Sequence, residues 1–390
     1  MDQFHSSQHV VRALAPSNPV LCQRPHAATR AARWFVDNFP GKTFYAVKAN
    51  PDRVMLNAIR AGGVEHFDVA SLVEVRAVRA QFPDATLAFM NPVKSSEAIR
   101  EAYFEHGVRI YSLDCESELT KIMAATDNAR DLTLCVRLGV DNSNAKVSLG
   151  RKFGARGHAA PELLRHTRLL AHKLGLCFHV GSQTLDPTAY VRALDMVEQV
   201  VIQSGVLVDV VDVGGGFPAR YPDMEPEAMS RFVEEIEARF ETFLSTDTTE
   251  LWCEPGRALV AEATSLIVRV ESQRDFDLYI NDGVYGTLYD AGHLGWRFPA
   301  KTLGRDGMAA PFRFYGPTCD DADHMPGPFF LPAETSPGDF IEIGMLGAYG
   351  RTMAGHFNGY GSYIEVTCTD DPFGTIFLPA DTESRVEVSQ

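Results

Sequence analysis

Residues 43–51 read Thr-Phe-Tyr-Ala-Val-Lys-Ala-Asn-Pro, TFYAVKANP. Aromatic and β-branched residues favour a buried strand, and Asn50-Pro51 breaks it, so the strand is expected to end on Lys48. An ammonium in that position either lays its stem along apolar surface with the head in water, or does chemistry. Seven further runs of the same texture follow: HFDVA (66–70), TLAFMNP (86–92), VRIYSLD (108–114), LTLCVRL (132–138), LCFHVGS (176–182), VDVVDVG (208–214) and ELWCEP (250–255). Segments of helical period separate them, among them SLVEVRAVRAQF (71–82) and PTAYVRALDMVEQVVIQSG (187–205). Short apolar runs alternating with helices are the pattern of βα units and a parallel sheet. Eight such units within residues 22–262 predict an α/β fold, a (β/α)8 TIM-like barrel.

From residue 263 onward the texture changes to TSLIVRVESQ, FDLYINDGV, RFYGPTCD, DFIEIGML and SYIEVTC, separated by Gly, Pro and Asp turns. The expected domains are therefore an N-terminal segment, 1–21, packing with the β-domain; a barrel, 22–262; and a C-terminal β-rich domain, 263–390. Of the 390 residues 45% are apolar and 22% charged, which is ordinary globular composition. No apolar run approaches the length of a membrane span and no secretory leader is legible, so a cytoplasmic protein without a membrane partner is expected. Seven scattered cysteines without a C-x-x-C pair argue against a disulfide framework and against a metal site. A net charge of −15 disfavours nucleic acid and favours a small-molecule partner.

Barrels place their chemistry at the C-terminal ends of the strands, and Lys48, Asp68, Arg137, His179, Ser182, Gly214, Gly215, Gly216, Glu254 and Arg257 all fall there. A lysine in a barrel mouth suits covalent attachment of a carbonyl compound, because burial lowers its pKa. His179 is either a satisfied core histidine or a flat ring against a planar ligand. Ser182 alone is an ordinary loop serine or helix cap. The three glycines either make a tight turn or cradle a phosphate on their N–H groups. Glu254-Pro255-Gly256-Arg257 closes the eighth strand, where barrels commonly bind phosphate; as an isolated pair it would be a surface ion pair.

Nine motifs in order, YAVKAN (45–50), FDVAS (67–71), FHVGS (178–182), GGGFP (214–218), EPGR (254–257), NDGVYG (281–286), GPTCDDAD (316–323), GAYG (347–350) and FNGY (357–360), resemble the pyridoxal-phosphate-dependent ornithine, lysine and diaminopimelate decarboxylases, the ornithine enzymes above all. The resemblance implies an alanine-racemase-like barrel with a β-domain, pyridoxal 5'-phosphate as cofactor, and a homodimer whose sites are shared. It implies that Lys48 binds the cofactor aldehyde and His179 stacks on the ring. Ser182, Gly214 to Gly216, Arg257 and Tyr349 would hold the phosphate, with Asp68 and Arg137 in support. Glu254 would face the ring nitrogen and keep it protonated, so that the ring accepts the electron pair left by departing CO2. An arginine there, as in the related racemases, would weaken that sink.

Within the same resemblance, Cys319 would supply a proton and Asp320 would accept a distal ammonium, with Tyr289 and Asp290 of LYDAGH beside it. Diaminopimelate decarboxylases have Cys-Glu-Ser where this chain has Cys319-Asp320, so decarboxylation of an L-dibasic amino acid, ornithine to putrescine first and lysine or a shorter diamino acid next, is expected. Two departures stand against the pattern: only Thr287-Leu288 separates NDGVYG from Tyr289, about four residues fewer than in the ornithine enzymes, and Arg351 and His356 add positive charge. A diaminopimelate-type decarboxylase, or one acting on another substituted amino acid, is the enzymatic alternative, and an extra acidic group on the substrate would suit the added positive charge. An inactive regulatory homologue that binds a protein partner is the alternative of another class.

Overall fold

The computed structural model describes residues 1–140, 145–243 and 246–377. The last thirteen residues of the expected β-domain, 378–390, lie outside it. Two compact units divide the chain: Ala32–Pro218 with Pro226–Ala258, and Met1–Ala31 with Ala219–Glu225 and Leu259–Gln390. The expected boundary at residue 22 falls inside a strand, Val20–Gln23, that pairs with Ile364–Cys368 and Thr264–Arg274.

The first unit is a closed barrel of eight parallel strands: Lys42–Ala46, His66–Val69, Thr86–Phe89, Ile110–Leu113, Thr133–Arg137, Lys173–Cys177, Val210–Asp212 and Glu250–Cys253. Seven lie on the runs read above; the sixth, Lys173–Cys177, is displaced toward the N-terminus and shares only Leu176 and Cys177 with its run, 176–182. Side chains on a strand alternate faces, so a residue and its i+2 neighbour share the interior. Phe44, Ala88, Ile110, Cys135, Cys177, Val210 and Trp252 form the interior layer, all buried. The next residues on that face stand one layer nearer the C-terminal ends, and several of them are polar.

One local expectation changes. The strand ends at Ala46 rather than on Lys48, which sits in a 3-10 turn, Val47–Ala49. The Asn50 N–H donates to the Val47 carbonyl at 3.0 Å, and the Ala46 N–H donates to the Pro255 carbonyl at 3.2 Å. Pro51 holds Asn50 extended (φ −162°, ψ 102°), which stops the turn after one residue pair.

Among the described residues the second unit holds a nine-stranded sheet. Sequence reading missed four of its strands, Gln3–Phe4, Val20–Gln23, Ala300–Thr302 and His324–Pro332. Three are too short to show a period, and the fourth carries Pro326, Pro328 and Pro332. That strand pairs only with Ala309–Tyr315, and an edge tolerates missing N–H donors. Inside this unit Arg24 and Glu342 form an ion pair at 3.0 Å with side chains 1% and 0% exposed. Arg24 also reaches Asp370 at 3.0 Å and Ser265 at 2.8 Å; Glu342 accepts from Ser265 at 2.6 Å and Ser7 at 2.5 Å and lies 3.0 Å from Lys301. The network joins the first residues of the chain to strands more than three hundred residues later.

Burial alone would raise the Glu342 carboxyl, but Arg24 and Lys301 outweigh it and hold it below its usual value. A depressed carboxylate contributes stability above its unfolded pKa, about 4.3, and loses it as pH falls through the folded value. Removing one partner of a buried pair costs about 3–5 kcal/mol. Arg24→Met is therefore expected to lower Tm markedly at pH 7, and Glu342→Gln to lower it at pH 7 while flattening the acid limb of Tm against pH. Melting curves of Glu342→Gln parallel to the parent across pH 3 to 7 would contradict the assignment.

Candidate active site

The residues two positions beyond the interior barrel layer are Ala46 after Phe44, Asp68 after His66, Met90 after Ala88, Ser112 after Ile110, Arg137 after Cys135, His179 after Cys177, Asp212 after Val210 and Glu254 after Trp252. Strand alternation thus delivers a basic, an imidazole and three carboxyl side chains to one end of the barrel. Lys48 joins them from the turn that follows the first strand. Its Nζ is 2.8 Å from Asp68 Oδ2, with the lysine 40% exposed and the aspartate 2%. Register explains the pairing, because Ala46 lies opposite Asp68 on adjacent strands.

His179 follows the sixth strand. Its Nδ1 accepts the Gly181 N–H at 3.0 Å, so the ring proton of the neutral form is on Nε2. Burial first, then Arg137 and Lys48, push its pKa well down. The ring is therefore neutral and lies beside the glycine loop, where a Cβ at Gly215 would stand 3.1 Å from its Nε2. The Arg137 guanidinium lies 5.4 Å from the Phe153 ring centre. Ser182 opens a short strand, Ser182–Thr184, that pairs with Ala145–Val147.

Gly214 and Gly216 have φ of 69° and 107°, the left-handed region that other residues enter at a cost. A Cβ would also come within 2.0 Å of the Phe178 carbonyl at Gly214 and 2.6 Å of the Gly181 carbonyl at Gly216. All three loop carbonyls are used by protein donors: Glu254 N–H to Gly214, the Tyr190 hydroxyl to Gly215 and Thr184 N–H to Gly216, at 2.8, 3.0 and 3.0 Å. The Gly214 N–H donates to Asp212 Oδ1 at 2.8 Å, so a ligand meeting this loop meets the amides of Gly215 and Gly216. Glu254 and Arg257 are 8% and 6% exposed, and Glu254 Oε1 has no hydrogen-bond partner among the described residues. Burial, then Asp212 and Asp68, raise the Glu254 carboxyl well above its usual value.

The β-rich unit carries the remaining predicted residues. Cys319 and Asp320 are exposed at the turn before His324–Pro332. The Cys319 N–H donates to Asn358 Oδ1 at 3.1 Å, and Asn358 adopts φ 53°. Asp320 accepts from the Tyr285 hydroxyl and from Ala322 N–H, which lower its pKa. Tyr285 in turn packs on Phe357 with ring centres 4.9 Å apart. Buried Asp323 accepts from Val284 N–H and from the Thr318 N–H and hydroxyl at 2.7, 3.0 and 2.7 Å, tying GPTCDDAD to NDGVYG. Tyr289 and Asp290 lie in a short helix, Tyr289–His293, with the Tyr289 ring stacked on His293. Tyr349 has φ 59° and is half-buried. Arg351 stands 5.0 Å over the Tyr363 ring, and His356 Nδ1 is 3.3 Å from the Tyr360 carbonyl.

Sequence reading missed Asp212, Tyr285 and Asn358. The signal for Asp212 was present: a carboxyl in a run of valines, two residues beyond an interior position, on the face that carries the site.

The family described as "Pyridoxal-dependent decarboxylase, pyridoxal binding domain" matches residues 26–261. The lysine/ornithine decarboxylase of Selenomonas ruminantium is 32% identical over 353 residues, 88% of this chain and 87% of that protein. Antizyme inhibitor 2 of Xenopus laevis is 30% identical over 82% of this chain and 74% of its own length. Among solved structures, the arginine decarboxylase of Paramecium bursaria Chlorella virus bound to agmatine has a TM-score of 0.82 at 27% identity, covering 92% of this chain and 98% of that one.

Pyridoxal phosphate fits the barrel residues. Lys48 would take the aldehyde, the uncommitted Glu254 Oε1 would receive the ring N–H, and the Gly214 to Gly216 loop, through the Gly215 and Gly216 amides, would hold the phosphate with Arg257. Borohydride reduction of the loaded protein is expected to fix the cofactor to Lys48 in peptide maps, and Lys48→Ala to keep cofactor binding through the phosphate while losing the reducible link. A label on any other lysine would contradict this placement.

Proposed function

Because the chain belongs to the pyridoxal-dependent decarboxylases, we propose that it removes the α-carboxylate of an L-dibasic amino acid, ornithine first, with lysine and shorter diamino acids next, to leave a diamine and CO2. When bound, the cofactor supplies the electron sink for the bond that breaks. Lys48 and Asp68 would orient the reacting end, and neutral His179 would cover one face without adding charge. Cys319, presented by the Asn358 contact, would return a proton to the carbon that loses CO2.

The observation that carries the substrate class is Asp320. Its carboxylate is held ionised by Tyr285 and Ala322 one residue from Cys319, which suits a distal ammonium by a charge-assisted hydrogen bond. Arg351 and His356, the residues that would favour an extra acidic group, are engaged with Tyr363 and Tyr360. Retention of Lys48, Glu254 and Cys319 favours an enzyme over a protein-binding homologue. Asp320→Ala is expected to cut kcat/KM on the best diamino acid by roughly 10- to 100-fold, with much less effect on an amino acid lacking the distal amine. Equal losses on both substrates would remove the dibasic reading, and absence of CO2 release from every diamino acid tried would favour the regulatory one.

The proposal extends to assembly. Lys48 and Glu254 belong to the barrel unit and Cys319 and Asp320 to the β-rich unit, and a homodimer would complete each site with the partner's Cys319. Lys48→Ala and Cys319→Ala chains, each nearly inactive, are then expected to recover about a quarter of parental activity when unfolded together in equal amounts and refolded, since roughly half of the dimers are mixed and each has one intact site. No recovery in samples shown to contain mixed dimers would place the whole site within one chain.

A further inference from the structure

Asp212 is a carboxyl of the barrel mouth with no task in the function proposed above. It ends the seventh strand and is 1% exposed. Its Oδ1 accepts the Gly214 N–H at 2.8 Å, and its side chain is hydrogen-bonded to that of Glu254. Two carboxyl groups in such contact, both out of water, cannot both be ionised; one proton must lie between them. Lys48 and Asp68 face the pair from neighbouring strands, and the thiols of Cys135, Cys177 and Cys253, each pushed up by burial, lie behind it. The 2.8 Å contact commits the Lys48 ammonium to Asp68. Burial, the largest influence, pushes the Asp212 carboxyl up to about 7, while the hydrogen bond between the two side chains raises Glu254 and lowers Asp212. A cationic ring N–H at Glu254 Oε1 would favour the ionised form of Glu254 and shift the shared proton to Asp212.

We propose that Asp212 is a positioning residue that works as a neutral acid: one oxygen accepts from the Gly214 amide and the other, protonated, donates to Glu254, turning Glu254 so that Oε1 is left for the cofactor's ring N–H. This rests on the role proposed above for Glu254. The arrangement couples two parts of the cofactor site, because the residue that orients the ring partner also fixes the first amide of the phosphate loop. It explains why Glu254 keeps one buried oxygen without a partner among the described residues. It also avoids placing two negative charges against a single pyridinium.

A neutral donor–acceptor can be replaced by an amide of the same shape, whereas a charge cannot. In Asp212→Asn the carbonyl oxygen would still accept from Gly214 and the NH2 would still donate to Glu254. Pyridoxal phosphate affinity of the dialysed protein, titrated by absorbance from pH 6 to 9, is expected to stay within about threefold of the parent for Asp212→Asn and to fall about 10- to 100-fold for Asp212→Ala, the loss typical of a hydrogen bond to a charged group. The parental affinity should also fall at high pH as the shared proton is lost, and Asp212→Asn, which has no such proton, should lack that fall. A folded Asp212→Asn protein that binds as weakly as Asp212→Ala, or an Asp212→Ala protein that binds like the parent, would overturn the proposal. Glu254→Gln in the same titration separates the two readings: an unchanged affinity and an unchanged ring absorbance for that variant would remove the role of Glu254 itself.

Discussion

The barrel mouth is governed by the cost of holding charge away from water. Asp68, Asp212 and Glu254 are buried there with one lysine among them, and each unpaired carboxylate would cost several kcal/mol. Lys48 neutralises Asp68, and a shared proton neutralises half of the Asp212 and Glu254 pair. Among the three carboxyls that leaves one negative charge and one oxygen of Glu254 without a partner among the described residues, with Arg137 adding a positive charge at the same end. The glycine loop, the 3-10 turn under Lys48 and the tautomer of His179 serve that balance: each brings a backbone or imidazole group to the site without adding a charge to it.

The β-rich unit divides its labour differently. Its buried aspartates hold turns together, and Asp320 stands exposed on one of them. Asp323 and Asp282, each nearly fully buried, satisfy the N–H and hydroxyl groups of the turns around them, while Asp320 and Cys319 stand in solvent at the end of the turn so held. The Arg24–Glu342 network anchors this unit's sheet to the N-terminal strands, which is why the first residues of the chain are part of its structure.

Much of this could be read from residue order. The eight barrel strands were legible because fully buried parallel strands are continuous apolar runs, and the mouth residues because they stand where those runs stop. The strand Val20–Gln23 was not, since four residues carry no period and its partners lie at positions 264–267 and 364–367. Lys48 was placed at the right end of the right strand but in the wrong backbone conformation, a detail set by the contact between Ala46 and Pro255. Asp212 escaped attention because an aspartate before glycines reads as turn chemistry; only the closed barrel shows that it shares an interior face with Val210 and touches Glu254. Tyr285 and Asn358 act on residues dozens of positions away in sequence, and no local pattern announces such a contact.

The central claim, that this chain replaces the α-carboxylate of a diamino acid by a proton, is tested most directly by running ornithine, lysine and their shorter homologues with the loaded protein in deuterium oxide. The account predicts CO2 and a diamine carrying one non-exchangeable deuterium on the carbon that held the carboxylate. Recovery of the amino acid with deuterium at its α-carbon and no CO2 would contradict it.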